Sequence, residues 1–367
     1  MFIFIYAIWG MYFLFLVLMI YGWFSKQKPI INTEKYSVAV IVPFRNEEEN
    51  LARLIKMLSA QVYTNFEVIF VNDHSDDDSI EIIKECAGGT ALKWHLIAFT
   101  ETEGKKGAIE AGIEYCKSEI IVTTDADCWM GPGWLAQINS AFDKRTNMVA
   151  GPVVIDGDDS LFNYWQQLEF STLIGTGGAM MNLNFPMMCN GANLAYRRLA
   201  FEKVNGFEGI RQTPSGDDEL LMSKFKGAFL TSIKFINNKE AVVFTHSAMN
   251  WKQFKHQRKR WSSKWKMNKR PETILVALLI MIFHLTFIFT VIQAVRNKIP
   301  IDTLIVLLGI KFFLEFVFTK SVAMKLGNTI GLTAFLVSKA FYSFYAILFG
   351  LTSNFGKYDW KGRTYKI

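Results

Sequence analysis

The sequence predicts an α/β domain with a mostly parallel sheet and helices on both faces, flanked along the chain by transmembrane helices. Between residues 37 and 124, short runs of β-branched and aromatic residues alternate with stretches of helical periodicity. Such alternation is typical of βαβ crossovers and a parallel sheet. Hydrophobic residues make up 51% of the 367 residues and aromatic residues 15%, which is rich for a soluble protein and indicates membrane contact.

The first apolar segment, residues 2–24, carries no charged side chain and is long enough to span a bilayer. It has neither a basic leader nor a small-residue cleavage site, so residues 1–25 are expected to be an uncleaved anchor rather than a signal peptide. Lys26 and Lys28 follow directly. By the positive-inside rule, they place the downstream α/β domain in the cytoplasm.

The α/β domain is expected at residues 36–250. We predict the following elements in its regular first half: strand 37–42 ended by Pro43, helix 47–58 with Asn46 as N-cap, strand 66–71, helix 79–85, strand 94–98, helix 107–116 and strand 120–124. A looser second half follows: helix 134–142, strand 147–155, helix 161–174, a Gly- and Met-rich patch at 175–181 and helix 217–225. Parallel sheets bind ligands beyond the carboxyl ends of their strands, and the polar clusters of this chain fall at those ends.

Residues 251–270 are strongly basic and carry four aromatic side chains, which predicts an amphipathic helix at the membrane interface. Three apolar stretches follow within 271–353, at 273–295, 299–319 and 329–352. Lys311, Glu315 and Lys339 lie inside them and should face protein or a cavity, or else mark a re-entrant segment. The tail, residues 354–367, is basic, and three full crossings would place it outside, against the positive-inside rule.

The net charge of +7 and the pI of about 9 favour an anionic partner. Nucleic acid, an anionic membrane surface and phosphorylated substrates all qualify, but the apolar segments favour the last two, and we expect no nucleic acid. The four cysteines lack CxxC spacing, which predicts neither a zinc site nor a disulfide framework.

Asp125-Ala126-Asp127 follows a very apolar strand. Two carboxylates one residue apart at a strand end can share one Mg²⁺ or Mn²⁺ together with diphosphate oxygens. The alternative is an ordinary acidic turn, and the other clusters favour the metal site.

Three further clusters each have a functional and a structural interpretation. Asp73, in Asn72-Asp73-His74-Ser75, is placed to accept hydrogen bonds from a nucleobase or ribose, or the segment caps its own loop. Lys105, in Gly104-Lys105-Lys106-Gly107, precedes a helix where phosphate binds, or the segment is a basic turn. Asp217 and Asp218 open a helix, where acids are favourable, but adjacent carboxylates also raise each other's pKa, as a general base near neutrality requires.

The stretch 257–261 (QRKRW) places Gln257, Arg260 and Trp261 on one helical face. Such a face offers an amide, a guanidinium fork and a flat ring to one ligand. Anchoring at the membrane surface is the alternative.

Taken together, these motifs resemble family 2 glycosyltransferases, which are inverting enzymes with a GT-A fold. The resemblance runs from about Val38 to Trp261, plus the flanking membrane segments. The matching segments are Val42-Pro43-Phe44-Arg45-Asn46-Glu47 for V-P-x-x-N-E, Asn72 to Ser75 for D-D-x-S, Gly104-Lys105 for G-K, Asp125 to Asp127 for D-x-D, Gly191-Ala192-Asn193 for G-x-N, Gly216-Asp217-Asp218 for G-E-D and Gln257 to Trp261 for Q-x-x-R-W. Two positions depart from the family pattern: Asn72 stands for the first Asp of the nucleotide pair, and Asp217 stands for Glu.

The resemblance implies an inverting sugar transfer. Nucleotide-sugar binding is assigned to Pro43, Glu47, Asp73, Lys105 and Asp125, divalent-metal binding to Asp125 and Asp127, the general base to Asp218 beside Asp217, and acceptor or diphosphate contacts to Asn193, Gln257, Arg260 and Trp261. UDP is the commonest donor nucleotide of the family. The tail segment 360–363 (WKGR) also looks like an ending found in members that act on lipids, which favours a cytoplasmic tail and an even number of crossings after residue 272.

The expectation is therefore a multi-pass inner-membrane enzyme with a cytoplasmic catalytic domain, acting on a lipid or lipid-linked acceptor. A processive polysaccharide synthase is the main alternative, but about four spans are few for a translocation channel. A catalytically inactive nucleotide-sugar-binding scaffold is a further alternative, and the retained Asp127, Asp218 and Arg260 argue against it.

Overall fold

A computed structural model describes residues 2–25, 34–99, 104–229, 232–267, 270–352, 355–360 and 362–366. The chain forms two compact units. The sheet unit consists of Lys26–Gly157 and Met180–Ser247, and the helical unit consists of Met1–Ser25, Asp158–Ala179 and Ala248–Ile367. Lys26 and Lys28, which oriented the first segment in our expectation, lie outside the described residues, as does Lys361 of the tail.

The sheet unit is built around a seven-stranded sheet. In spatial order its strands are β3 (Trp94–Ala98), β2 (Phe66–Asn72), β1 (Val38–Phe44), β4 (Ile120–Thr123), β8 (Leu194–Arg197), β6 (Met148–Ala150) and β9 (Ile233–Phe235). The first four strands are parallel, β8 is antiparallel to both of its neighbours, and β6 and β9 are parallel. The predicted mostly parallel sheet is confirmed.

Helices follow the strands as the alternation predicts. They are α2 (Glu48–Ser59), α3 (Ser79–Gly88), α4 (Lys105–Tyr115), α5 (Trp134–Ala141), α7 (Arg198–Lys203) and α8 (Glu219–Ala228). The N-cap predicted for α2 is wrong. Asn46 has a φ of 51°, and the helix begins after Glu47 without a side-chain cap. Asn46 instead joins two loops, because its Oδ1 accepts a hydrogen bond from the Asp76 amide at 3.0 Å.

The prediction of a single strand at 147–155 is also wrong, because the strand is interrupted at Gly151 and Pro152. Strand β6 ends at Ala150, and β7 (Val153–Asp156) enters a separate three-stranded sheet with β10 (Val243–His246) and β5 (Cys128–Met130). Proline has no N–H to donate to a ladder. Glycine is required before it, since a Cβ at Gly151 would lie 2.3 Å from the Asn193 side chain.

The helical unit contains most of the apolar sequence. Its helices are α1 (Phe2–Phe24), α6 (Leu161–Asn182), which ends in the sheet unit, α9 (Trp251–Ser263), α10 (Pro271–Val295), α11 (Ile301–Lys325) and α12 (Leu332–Thr352). Among the described residues, three helices are long and apolar enough to cross a membrane: Phe2–Phe24, Pro271–Val295 and Leu332–Leu351. The stretch predicted at 299–319 forms α11, which is not one of the three.

Helix α6 runs through the Gly- and Met-rich patch that we expected to follow it. Gly175 explains why the small residues suit a helix here. A Cβ at this position would lie 2.4 Å from Val322 of α11, so the missing side chain allows the two helices to pack closely. Helix propensity alone disfavours glycine, and this tertiary contact outweighs it.

The charged residues inside the apolar stretches face protein, as expected. The side chains of Lys311, Glu315 and Lys339 are only 1–4% exposed. Lys311 Nζ lies 3.0 Å from Glu315 Oε1, and Lys339 Nζ lies 3.8 Å from Glu315 Oε2. The Tyr12 hydroxyl of α1 donates to Glu315 Oε1 at 2.6 Å. Glu315 therefore links α1 and α12 to α11.

The described part of the tail is a hairpin of β11 (Lys357–Trp360) and β12 (Arg363–Lys366). Strand β11 packs against α9, and Tyr358 is buried. The tail and α9 therefore lie on the same side of any bilayer that the intervening helices cross. That arrangement requires an even number of crossings between them. Of the residues described in this interval, α10 and α12 are the two helices that meet the length and apolarity criteria.

Candidate active site

The carboxyl ends of β1 and β2 are in register, with Phe44 opposite Asn72. Hydrogen bonds continue beyond the strand ends: the Asp73 amide donates to Phe44 O at 2.8 Å, and the Phe99 amide donates to Asn72 O at 3.0 Å. Strand β1 passes through Pro43, opposite Val71, rather than ending there as predicted. The loops that carry Pro43, Glu47 and Asp73 are thus held at one edge of the sheet.

Asp73 and Glu47 are nearly buried in these loops, with 5% and 6% of their surface exposed. Asp73 Oδ1 accepts a hydrogen bond from the Gly104 amide at 3.2 Å, which ties the second strand end to the loop before Lys105. Glu47 Oε2 accepts from Asn50 Nδ2 at 2.7 Å. Asn72, which departs from the family pattern, caps its own loop, because its Oδ1 accepts from the Ser75 amide at 2.9 Å.

Lys105 lies between two carboxylates at the centre of the edge. Its Nζ is 2.5 Å from Asp125 Oδ1 and 3.1 Å from Asp217 Oδ2. Burial alone would lower the pKa of Lys105, but Asp125 and Asp217 raise it above its usual value. The lysine therefore stays charged. Two residues 92 positions apart in the sequence, Asp125 and Asp217, are brought together by one ammonium group.

Gly191 gives Asp217 the room to reach Lys105. A Cβ at this position would lie 2.7 Å from Asp217 Oδ2 and 3.4 Å from Lys105 Nζ, closer to the carboxylate than packed atoms tolerate. Thr123 Oγ1, at the end of β4, donates to Gly191 O at 2.8 Å and so fixes the glycine against the sheet. The first residue of the G-x-N segment is therefore a steric requirement of the carboxylate pair.

Asp125, Asp127 and Cys128 offer potential metal ligands within 4.8 Å of one another. The two carboxylates suit a hard divalent cation such as Mg²⁺ or Mn²⁺. Cys128 is buried, and both burial and the neighbouring Asp127 and Asp125 carboxylates raise the pKa of its thiol well above its usual value. A neutral thiol is a weak ligand. The donor set therefore fits a cation held by Asp125 and Asp127, with oxygen ligands supplied from elsewhere.

Asp218 is the N-cap of α8, and its Oδ1 accepts a hydrogen bond from the Glu219 amide at 2.6 Å. The two adjacent acids thus have different contacts. Asp217 contacts the Lys105 ammonium, whereas Asp218 contacts the start of its own helix. The assignment of the general base to Asp218 stays a prediction.

Comparison with known proteins gives a family for the part of the chain that contains most of this sheet. The family model described as glycosyl transferase family 2 matches residues 39–204. This range contains β1 to β4, Lys105, Asp125 and Asp127.

Residues 39–204 are therefore similar to family 2 glycosyltransferases, and we call them the glycosyltransferase domain.

Two curated relatives are similar to part of this chain. An undecaprenyl-phosphate 4-deoxy-4-formamido-L-arabinose transferase of Pseudomonas savastanoi pv. phaseolicola is 28% identical over 148 residues, covering 39% of this chain and 44% of that protein. A protein of the same name from Aeromonas hydrophila is 35% identical over 134 residues, covering 36% and 41%. The chain therefore spans less than half the length of these curated relatives.

The solved structure of the mannosyltransferase PcManGT from Pyrobaculum calidifontis, in complex with GDP-Man and Mn²⁺, aligns with a TM-score of 0.59. The alignment covers 93% of this chain and 96% of that one, at 18% sequence identity. At this identity the likeness shows the fold. The predicted GT-A fold of the glycosyltransferase domain is confirmed.

Sequence reasoning missed Lys106, the neighbour of Lys105. Its ammonium group donates to three carbonyl oxygens: Ile210 O at 2.6 Å, Thr213 O at 2.6 Å and Ser215 O at 2.9 Å. These three bonds fix the loop that leads into Asp217. The sequence signal was only a second lysine in a basic turn, and the loop it binds lies over 100 residues away.

Asn193 has a structural role in the glycosyltransferase domain. It is 1% exposed, and its Oδ1 accepts from Trp134 Nε1 at 3.0 Å. Its Nδ2 donates to Pro152 O and to Ala241 O, each at 2.8 Å. Because both amide hydrogens are used within the protein, we leave Asn193 out of the proposed contacts with acceptor or diphosphate.

Gln257, Arg260 and Trp261 lie on α9 in the helical unit, and all three are partly exposed. The Trp261 ring packs 5.5 Å from the Phe170 ring of α6. Gln257 Oε1 accepts a hydrogen bond from Arg258 Nη1 at 2.5 Å. The helix predicted around this motif is confirmed, and Arg258 between the motif residues has contacts that the motif did not indicate.

Proposed function

We propose that this protein is a membrane-bound inverting glycosyltransferase that moves a sugar from a nucleotide-sugar donor, UDP-sugar being the first choice, to a hydroxyl of a lipid or lipid-linked acceptor. The observation that carries the proposal is the cluster of Lys105, Asp125 and Asp217 at the carboxyl edge of the sheet. Lys105 and Asp125 lie within the range that matches family 2 glycosyltransferases. The three apolar helices and the relatives named undecaprenyl-phosphate transferases support a lipid acceptor at a membrane.

On the donor side, Pro43, Glu47 and Asp73 hold the nucleotide. Lys105 is a fixed cation, and an ammonium group beside a diphosphate offsets part of its charge. A Mg²⁺ or Mn²⁺ ion held by Asp125 and Asp127 would add a Lewis acid on the same diphosphate and stabilise the leaving group.

On the acceptor side, Asp218 removes the proton of the attacking hydroxyl. The hydroxyl attacks the anomeric carbon on the face opposite the diphosphate, so the configuration inverts. Gln257, Arg260 and Trp261 bind the acceptor or the diphosphate, a role that rests on the resemblance to the family motif. Trp261 offers a flat apolar face of the kind that binds sugar rings.

Transfer of a single sugar is favoured over processive polymer synthesis. A synthase that also translocates its product needs a channel through many helices, and only three helices of the described residues are long and apolar enough to cross a membrane. A catalytically inactive nucleotide-sugar-binding scaffold is disfavoured, because the chain retains Asp127, Asp218 and Arg260, and binding alone would not need a general base.

The proposal is tested by a donor screen with the purified full chain in detergent or nanodiscs. Nucleotide release is measured for a panel of UDP- and GDP-sugars, with total membrane lipid as acceptor and Mn²⁺ or Mg²⁺ present. Mass analysis of the lipid fraction should show one added sugar. A long polymer from this chain alone would overturn single transfer, and release without any lipid product would overturn the lipid acceptor.

A further inference from the structure

Arg258 is a buried cation inside the helical unit. It lies between Gln257 and Arg260, at a position where the Q-x-x-R-W motif specifies no residue type. Only 5% of its surface is exposed. Burial alone would lower its pKa, but Glu169 raises the pKa above its usual value. A buried charge requires a matched partner and hydrogen bonds to be tolerated.

Glu169 of α6 and Tyr345 of α12 supply that environment. Arg258 Nε donates to both Glu169 oxygens, at 3.2 and 3.1 Å, and Arg258 Nη2 also pairs with Glu169. The Tyr345 hydroxyl donates to Glu169 Oε1 at 2.5 Å. The guanidinium is therefore held as a rigid fork by groups from two other helices.

The same guanidinium contacts two of the three motif side chains. Arg258 Nη1 donates to Gln257 Oε1 at 2.5 Å. Arg258 Cζ lies 4.3 Å from the centre of the Trp261 ring and 4.1 Å from the centre of the Phe254 ring. Arg258 thus holds an amide by a hydrogen bond and an indole by a cation–π contact, while Glu169 and Tyr345 hold Arg258.

Stability alone is a poor explanation for this network. Apolar residues of similar volume are often as stabilising as a buried ion pair, and α9 already packs apolar rings against α6, with Phe254 lying 5.1 Å from Trp165 and 5.8 Å from Phe162. The contribution specific to the ion pair is that it fixes the orientation of the Gln257 and Trp261 side chains. An apolar side chain at position 258 would still fill space, but it would neither donate to Gln257 nor attract the face of Trp261.

We propose that Arg258, Glu169 and Tyr345 form a positioning network that orients Gln257 and Trp261 for the acceptor step. This inference rests on the proposed function, which gives Gln257 and Trp261 their contacts with the acceptor or the diphosphate. None of the three network residues needs to touch a substrate. Their effect passes through the two motif side chains.

The test combines conservative substitutions with a double-mutant cycle. Glu169→Gln removes the charge but keeps the shape, and Tyr345→Phe removes one hydroxyl. Each should lower kcat about tenfold and leave the KM of the donor unchanged, since a tenfold loss corresponds to a coupling of about 1.4 kcal/mol. In a Trp261→Ala background, adding Glu169→Gln should lower kcat only slightly further, because the network acts through the Trp261 side chain. Lys255→Gln, at an exposed position of the same helix, is the matched control and should behave as the wild type.

A second, spectroscopic experiment measures the environment of the Trp261 ring and does not depend on turnover. The chain has ten tryptophans, so ¹⁹F spectra of 5-fluorotryptophan-labelled protein are tractable, and the Trp261 signal is assigned by its loss in Trp261→Phe. Glu169→Gln and Tyr345→Phe should shift or broaden that signal, and Lys255→Gln should not. If the wild type shows no sugar transfer but the Trp261 signal still shifts in Glu169→Gln and Tyr345→Phe, the proposed function is refuted and the positioning network is retained. An unmoved signal, or effects on kcat that multiply in the double variant, would overturn the network.

Discussion

Asp218→Asn separates the chemistry of the proposed base from its structural role. In the structure, Asp218 Oδ1 accepts a hydrogen bond from the Glu219 amide at 2.6 Å and caps α8. An asparagine side chain also has a carbonyl oxygen and is an equally good N-cap. The substitution therefore keeps the acceptor that the helix needs and removes only the capacity to take up a proton from the substrate.

The expected effect on rate is large, and the expected effect on stability is small. Positioned general bases contribute about 10²- to 10⁴-fold, which corresponds to about 2.7–5.5 kcal/mol of transition-state stabilisation. The free energy of unfolding should change by less than about 0.5 kcal/mol, the usual range away from disrupted contacts. Asp218→Ala, in contrast, should lose both the base and the cap, with about 1 kcal/mol of added destabilisation.

The assay measures sugar transfer, donor binding and thermal unfolding on the same preparations. Asp218→Asn should bind the donor as the wild type does, melt at the same temperature and lose at least 100-fold in kcat, the lower bound for a general base. Undiminished turnover would remove Asp218 from the mechanism. It would also indicate an acceptor that is already ionised, such as a lipid phosphate, because such a group needs no base.

Asn193→Ala should lower the stability of the sheet unit by about 3 kcal/mol, since three buried hydrogen bonds are lost at about 1 kcal/mol each. Calorimetry should show a fall in Tm, and an unchanged Tm would contradict the structural role. Gly191→Ala should cost about 100-fold in kcat with little effect on folding, because its Cβ would lie 2.7 Å from Asp217 Oδ2; Gly227→Ala, with nothing within 4 Å, is the control. Chelation of divalent cations should abolish transfer, and added Mn²⁺ should restore it in the wild type but not in Asp127→Asn; activity that survives chelation would exclude the metal site.

The parallel half of the sheet was predictable because its signals are local. Each strand from β1 to β4 is a short apolar run, and each helix between them has its own periodicity. The break at Gly151 and Pro152 was missed because β6 and β7 are both apolar, and only their different partners, β8 and β10, separate them. The prediction of Asn46 as the N-cap of α2 was wrong because the side chain of that residue instead contacts the loop after β2.

The candidate site was predictable where a motif carries its chemistry in the residue type, as at Asp125, Asp127 and Lys105. It was not predictable where a residue acts through distant backbone or through another side chain. Lys106 binds carbonyls of residues 210, 213 and 215, and Arg258 pairs with Glu169, 89 residues away. In both cases the sequence shows only another basic residue in a basic stretch.

The most direct test of the central claim is the mass of the lipid product formed by the purified full chain from its preferred nucleotide-sugar. We predict an acceptor lipid heavier by one sugar residue, with one nucleoside diphosphate released for each product and with the opposite anomeric configuration to the donor. Retention of configuration, a polymeric product or the absence of any glycosylated lipid would contradict it.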